Sequence, residues 1–193
     1  MRIIAGGLRG RRIRTAREPG LRPISGRIKQ SLFDIIAGLV PGARFLDLFA
    51  GTGSVGLEAL SRGAGFVFFV DSNRRCVEAL SRILEGMGLA GRARVQRGDA
   101  LGDLSWIPFR AGVPDFNLVF LGPPYKDDQK RPLAYTTPAL RRVAEAGLLV
   151  PGGLLIAQHH VKEEVEPPEG FRLSRREKYG DTYLSFLRPA GSG

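Results

Sequence analysis

An α/β fold built on a mostly parallel sheet is what this sequence predicts, and three observations predict it. Between Phe45 and Gln158, short apolar runs alternate with segments of helical period. A glycine-rich stretch, Gly51-Thr52-Gly53-Ser54-Val55-Gly56, follows the first run and opens the first of those helices. The last two runs are joined by Lys178-Tyr179-Gly180-Asp181, a hairpin signal that gives the sheet an antiparallel C-terminal strand. Such alternation puts helices on both faces of the sheet and ligands at the carboxyl ends of its strands.

Taken in order, residues 2–15 read as a small hairpin, with Ile3, Ile4 and Ile13 as apolar points and Gly6, Gly7 and Gly10 in turns. Pro19, Gly20 and Pro23 mark a turn region. Ser25 caps a helix over 26–38 whose apolar face holds Ile28, Leu32, Ile35 and Ile36. Pro41-Gly42 ends this unit and divides the chain into a basic hairpin-and-helix extension, 1–41, and a main domain, 42–189. In the main domain, strands are expected at 45–49, 66–70, 94–96, 116–121, 154–158, 172–177 and 182–188, a seven-stranded sheet. Helices are expected at 54–62, 73–87, 100–106 and 132–147, the second with Val77, Leu80, Leu84 and Met87 inward.

Charge is distributed unevenly. The 193 residues carry 29 basic and 19 acidic side chains, a formal charge of +10. Residues 1–30 hold nine of the basic ones (Arg2, Arg9, Arg11, Arg12, Arg14, Arg17, Arg22, Arg27 and Lys29) against one acid, Glu18, so +8 of the charge lies there. Eight of the nine are arginines, whose planar fork matches phosphate. The block reads as a nucleic-acid footprint, with a merely solvated basic surface as the plainer alternative. No run of about 18 apolar residues exists, so no transmembrane helix is expected. The start of the chain lacks the apolar length of a signal peptide. The single cysteine, Cys76, makes no internal disulfide, and no residue spacing points to a metal. His159 and His160, adjacent in a strand, face opposite ways. Cys76 reads as inert and Trp106 as packing. A cytoplasmic setting is expected.

Chemistry concentrates at the strand ends. The glycine pattern with Asp71, 20 residues after Gly51, fits a dinucleotide site. Asp47, four residues before Gly51, opposes that reading, because a carboxylate repels pyrophosphate and suits an ammonium group. S-adenosylmethionine has an ammonium, a ribose and an adenine but no phosphate. Asp47 and the glycine loop then serve its methionine end. Asp71 serves its ribose, and Asp99, after the third strand, its adenine amino group. The plainer reading of each aspartate alone, the less favoured one, is a helix cap or a solvated loop; three at successive strand ends point to one site. The fourth strand ends in Gly122-Pro123-Pro124-Tyr125. Adjacent prolines remove two N–H donors and leave carbonyls to hold an amino group. Tyr125 offers a face on which a base stacks, worth roughly 1–3 kcal/mol. This suits methylation of an exocyclic amine on an extruded nucleobase.

These residues resemble the bacterial small-subunit (16S) rRNA guanine-N2 methyltransferases that use S-adenosylmethionine. The resemblance covers nearly the whole chain. Its most specific stretch is Asp47-Leu48-Phe49-Ala50-Gly51-Thr52-Gly53 with Gly56-Leu57-Glu58-Ala59-Leu60-Ser61-Arg62-Gly63-Ala64. Arg2-Ile3-Ile4-Ala5-Gly6 with Gly10-Arg11-Arg12, Arg22-Pro23 with Arg27 and Leu32-Phe33, and Tyr179-Gly180-Asp181-Thr182 also match. The resemblance implies a Rossmann-like class I methyltransferase fold, with a small N-terminal extension, acting on small-subunit rRNA or the assembled subunit; the short catalytic domain and basic arm suggest a monomer. It implies cofactor contacts at Asp47, Phe49, Gly51, Thr52, Gly53, Asp71, Ser72, Asp99 and Ala100. Gly122, Pro123, Pro124 and Tyr125 would hold the guanine. Arg9, Arg11, Arg12, Arg22 and Arg27 would meet RNA.

Three positions depart from the family pattern. The family has Asp or Asn where this chain has Gly122, commonly Asp at Asn117, and Thr at Ile24. Gly122 removes a side-chain acceptor for the guanine amino group. A hydrogen bond to a charged group is worth about 1.5–3 kcal/mol, or roughly 10- to 100-fold in rate. A non-catalytic RNA-binding relative that keeps its cofactor, a DNA amino-methyltransferase and a nicotinamide-dependent oxidoreductase remain as alternatives.

Overall fold

The computed structural model describes residues 1–13, 24–127 and 129–191. Its centre is a seven-stranded sheet in the order β3-β2-β1-β4-β5-β7-β6. The strands are β1 (Arg44–Leu48), β2 (Phe66–Asp71), β3 (Ala93–Arg97), β4 (Phe116–Leu121), β5 (Leu149–His160), β6 (Phe171–Tyr179) and β7 (Thr182–Pro189). The pairs β1–β2, β2–β3, β1–β4 and β4–β5 are parallel, and β7 runs antiparallel to both of its neighbours. The expected sheet, mostly parallel with an antiparallel C-terminal strand, is the one observed.

Strand alternation explains the layering. Phe45 points to the face covered by α1 (Gly26–Ile35), α2 (Ser54–Ser61) and α3 (Arg74–Gly86). Leu46 and Leu48 point to the other face, covered by α4 (Ile107–Ala111) and α5 (Thr136–Glu145). Asp47 therefore belongs to the α2 face, although its neighbours on the strand are apolar. A side chain at Gly56 would collide with β2, since a Cβ there would sit 2.2 Å from Phe69 Cε1. The missing side chain lets α2 lie directly on the sheet and brings its N-terminus close over the end of β1.

Several boundaries differ from expectation, each with a local cause. The helix expected at 100–106 is α4, which begins only at Ile107. Asp99 Oδ1 accepts from Leu101 N at 2.9 Å and Asp103 Oδ1 from Ser105 N at 2.9 Å, so two side-chain turns take those residues instead. α1 ends at Ile35 and continues as a 3-10 turn over Ala37–Leu39. α5 starts at Thr136, whose N–H is capped at 2.8 Å by Glu163 from the far side of β5. β5 begins five residues early, pairing Leu149 with Phe116 before a register shift. In α3, Cys76 is buried with Leu80 and Leu84, while Val77 and Met87 are half-buried.

The N-terminal hairpin is present within the described residues. Arg2 bridges Arg12, Ile3 N donates to Arg11 O at 3.1 Å, and Ile13 N donates to Met1 O at 2.9 Å. The hairpin lies on α2. Gly6, at φ +82°, passes so close that a Cβ would sit 1.8 Å from Ser61 O. Glu58, wholly buried, binds the two parts together. Its oxygens accept from Ile4 N at 2.9 Å and Ala5 N at 3.0 Å, and they pair with Lys29 Nζ at 3.2 Å and Arg62 Nε at 2.9 Å. Burial pushes this carboxyl up, but the Ile4 N–H, Arg62 and Lys29 more than reverse it and hold it below the usual range. Lys29 thus turns inward, 3% exposed, and is no part of the phosphate-facing block that its place in the sequence implied.

Candidate functional site

β1 lies between β2 and β4, where the order of strands reverses, so a crevice opens above its carboxyl end. Leu48 of β1 is paired with Leu121 of β4. The glycine loop and the Gly122-Pro123-Pro124-Tyr125 turn therefore leave the sheet side by side.

The first wall is the glycine loop. Phe49 adopts a left-handed conformation, φ 59°, unusual for a residue with a large side chain. This turns the chain toward β2, where Ala50 N donates to Val70 O at 3.0 Å and Gly51 N donates to Asp71 Oδ2 at 2.6 Å. Asp71 Oδ1 also accepts from Asn73 N at 2.8 Å, so its carboxylate is fixed by backbone donors on both sides. Gly53, at φ 71°, forms the N-cap of α2. Asp47 Oδ2 accepts from Gly56 N at 2.9 Å beneath the loop. Burial, opposed by that hydrogen bond and aided by the nearby charge of Asp71, pushes Asp47 up to about 8.

The remaining cofactor candidates fall along the same edge. Gly98 N donates to Asp71 O at 3.1 Å, which sets the turn bearing Asp99 beside Asp71. Asp99 is exposed, Ser72 is exposed, and Thr52 is buried against the Met1 side chain. Ala100 is buried in the core of the α4 and α5 face. Trp106 packs over Gly98 and edge-on to Phe68, with ring centroids 6.4 Å apart. None of Asp47, Asp71 and Asp99 pairs with a cationic side chain among the described residues. Arg97 Nε donates to Ser72 O at 3.2 Å on this edge but pairs with none of the three acids, and acids left without a cationic partner fit a ligand with an ammonium and hydroxyls better than a pyrophosphate.

The second wall is the turn after β4. Pro123 is buried and Pro124 exposed. Tyr125 is held at its hydroxyl, which accepts from Gln158 Nε2 at 2.8 Å and donates to Thr182 Oγ1 at 3.3 Å. His160 meets its ring edge-on at 5.7 Å. Burial pushes the phenol above its usual range, so it stays protonated. These three supports come from β5 and β7, and sequence reasoning did not find them. The one available signal was the Tyr179-Gly180-Asp181-Thr182 hairpin. His159 faces the opposite side, wholly buried against Ser185 Oγ at 2.9 Å, and burial pushes it down to about 4, leaving it neutral.

Gly122 is not required by its backbone, which lies outside the left-handed region. A Cβ there would approach Phe120 Cε1 to 3.1 Å, so a side chain fits if that ring shifts by a few tenths of an ångström. Asn117 is remote from the crevice; its Oδ1 accepts from Arg44 N at 2.9 Å at the opposite, N-terminal ends of β4 and β1. Arg9, Arg11, Arg12 and Arg27 are exposed on the extension and make no ion pair among the described residues. Arg22 lies outside the described residues.

Comparison with known proteins places nearly the whole chain in a family. Residues 1–188 match the family model described as "Conserved hypothetical protein 95". The chain is 32% identical to the Escherichia coli K12 protein named Ribosomal RNA small subunit methyltransferase D, covering 94% of this chain and 93% of that one. It is 29% identical to the Haemophilus influenzae protein of the same name, covering 93% and 89%. A solved structure from Thermus thermophilus, described as a hypothetical protein, superposes with a TM-score of 0.77 at 29% identity, covering 97% of this chain and 99% of that one.

Proposed function

The chain belongs to the conserved hypothetical protein 95 family, and from that membership and the two walls of the crevice we propose that it methylates the exocyclic N2 of a guanine in small-subunit (16S) rRNA. It is an S-adenosylmethionine-dependent RNA methyltransferase; the target atom, the subunit and the roles of individual residues are the proposal. The observation that carries it is the pairing of Leu48 with Leu121, which sets an acidic cofactor edge beside a Pro-Pro-Tyr turn.

S-adenosylmethionine supplies a methyl group activated by its sulfonium. The residues of the chain do the rest by placement. Asp47 and the glycine loop take the ammonium end, Asp71 accepts from ribose hydroxyls, and Asp99 accepts from the adenine amino group. Tyr125, fixed by Gln158, Thr182 and His160, gives the guanine a flat wall. The carbonyls of Gly122 and Pro123 hold the amino hydrogens and aim the nitrogen lone pair. With no acceptor side chain at 122, the proton released after transfer passes to water.

The test is transfer of labelled methyl to small subunits lacking the modification, with the chain as given beside Gly122→Asp. Both are expected to yield N2-methylguanosine, the Asp variant roughly 10- to 100-fold faster. Methylation by Gly122→Asp alone would favour a second reading, a non-catalytic RNA-binding relative, for which Gly122 itself speaks. Cofactor binding without methylation by either variant would overturn the guanine assignment.

A further inference from the structure

A pocket of about 500 Å³ lies between the N-terminal hairpin, the start of α1 and the first turn of α2. It adjoins the cofactor loop at Ser54, yet it includes none of the residues assigned above to the cofactor or the target base. Its size is that of a small-molecule site. Met1, Ile4 and Ile24 give it half-buried apolar walls, and Arg2 and Arg9 give it an exposed cationic rim. No carboxylate side chain lines it among the described residues. The third cation at the wall, Lys29, is already committed to Glu58, Ser54 Oγ and Arg2 O.

Apolar walls under a cationic rim match one ligand chemistry, a flat base carrying a phosphate. We propose that this pocket receives a nucleotide of the RNA strand next to the target base, its base against Met1, Ile4 and Ile24 and its phosphate at Arg2 and Arg9. This rests on the RNA methyltransferase reading and extends it. The enzyme would hold the strand at a second point, beyond the hairpin from the target turn, and so draw the target nucleotide out of its stack. Ile24 has a direct part here: an apolar side chain at this position widens the stacking wall.

Gly26 makes the pocket testable. It is the first residue of α1 and lines the pocket, and a Cβ there meets nothing within 4 Å, so a side chain can be added at the pocket wall. The full chain carrying Gly26→Phe would be compared with the unaltered chain by fluorescence anisotropy, using a fluorescein-labelled single-stranded RNA decamer. S-adenosylmethionine binding would be followed by calorimetry. The RNA Kd is expected to rise at least tenfold, with cofactor Kd unchanged within about twofold. Arg2→Gln and Arg9→Gln, which leave the pocket's shape intact, should each lower the slope of log K against log salt by about 0.7. RNA affinity and slope unchanged in all three variants would overturn the proposal. Weakened cofactor binding with RNA binding intact would overturn it too, by giving the pocket to the cofactor. Both readouts are binding measurements, so a failure to methylate guanine would leave the test of the pocket unaffected.

Discussion

The two walls of the crevice are held in different ways. At the cofactor wall, Asp47 and Asp71 are fixed by backbone donors 9 and 20 residues away, within one β-α-β unit. At the target wall, Tyr125 is fixed by side chains 33 and 57 residues away, one on β5, the next strand of the β4-α5-β5 unit, and one on β7, which joins the sheet antiparallel beyond it. Backbone donors are supplied by the fold whatever the side chains are. Side-chain partners exist only where the right residues occur. The cofactor wall is therefore a property of a local motif, and the target wall a property of the whole sheet.

The comparison predicts a graded set of effects. Asp71→Ala strikes the cofactor wall at its most connected residue, freeing Gly51 N and Asn73 N and removing the proposed ribose acceptor. A rise in cofactor Kd of about 100-fold is expected by calorimetry, since bonds to a charged acceptor are worth about 1.5–3 kcal/mol each. A change under threefold would show that the loop keeps its shape without the carboxylate. Tyr125→Phe tests the other wall. It keeps the stacking face and removes the hydroxyl that Gln158 and Thr182 hold. A fall of roughly 3- to 10-fold in kcat/KM for small subunits is expected, with cofactor Kd unchanged. A fall in cofactor affinity as well would mean that the walls are not independent.

The smallest effect is on stability and concerns Asp47. Its folded value of about 8 lies above the unfolded 3.8, so the folded chain keeps a proton that the unfolded chain loses. The contribution of this group to stability is fully present below pH 3.8 and declines as pH rises through about 8. Asp47→Asn, which retains an acceptor for Gly56 N, should remove that decline. The melting temperature of the variant relative to the unaltered chain is expected to grow by a few degrees between pH 5 and 9. A difference that stays constant with pH would place the titration of Asp47 elsewhere.

How much was legible follows the same division. The β1 loop and the acids at 47, 71 and 99 could be read because strand, glycine loop and acid recur at short spacing. The central strands could be read because they are continuous apolar runs, and the polar edge strand β6 through the hairpin that joins it to β7. Glu58 could be seen only as one letter of a matching stretch, because its donors come from three separate segments. Lys29 was misplaced for the same reason: charge counted along a chain does not show which side chain turns inward. The helix expected near 100 slid to Ile107 because Asp99 and Asp103 each captured a backbone N–H, a competition that apolar periodicity does not register.

The bond from Tyr125 to Thr182 also sets an order in time. Chains leave the ribosome N-terminus first, at about 5–20 residues per second. The backbone donors that hold Asp47 and Asp71 all lie before residue 74, so they have emerged when well under half of the chain is out, while β1 still awaits β4 as its second neighbour. The target wall stays incomplete until β7 is out and turned back against β5. The partners of the acids proposed to hold the cofactor thus emerge well before those of the tyrosine proposed to meet the base. An enzyme whose substrate is ribosomal RNA gains its hold on that substrate only as its own synthesis ends.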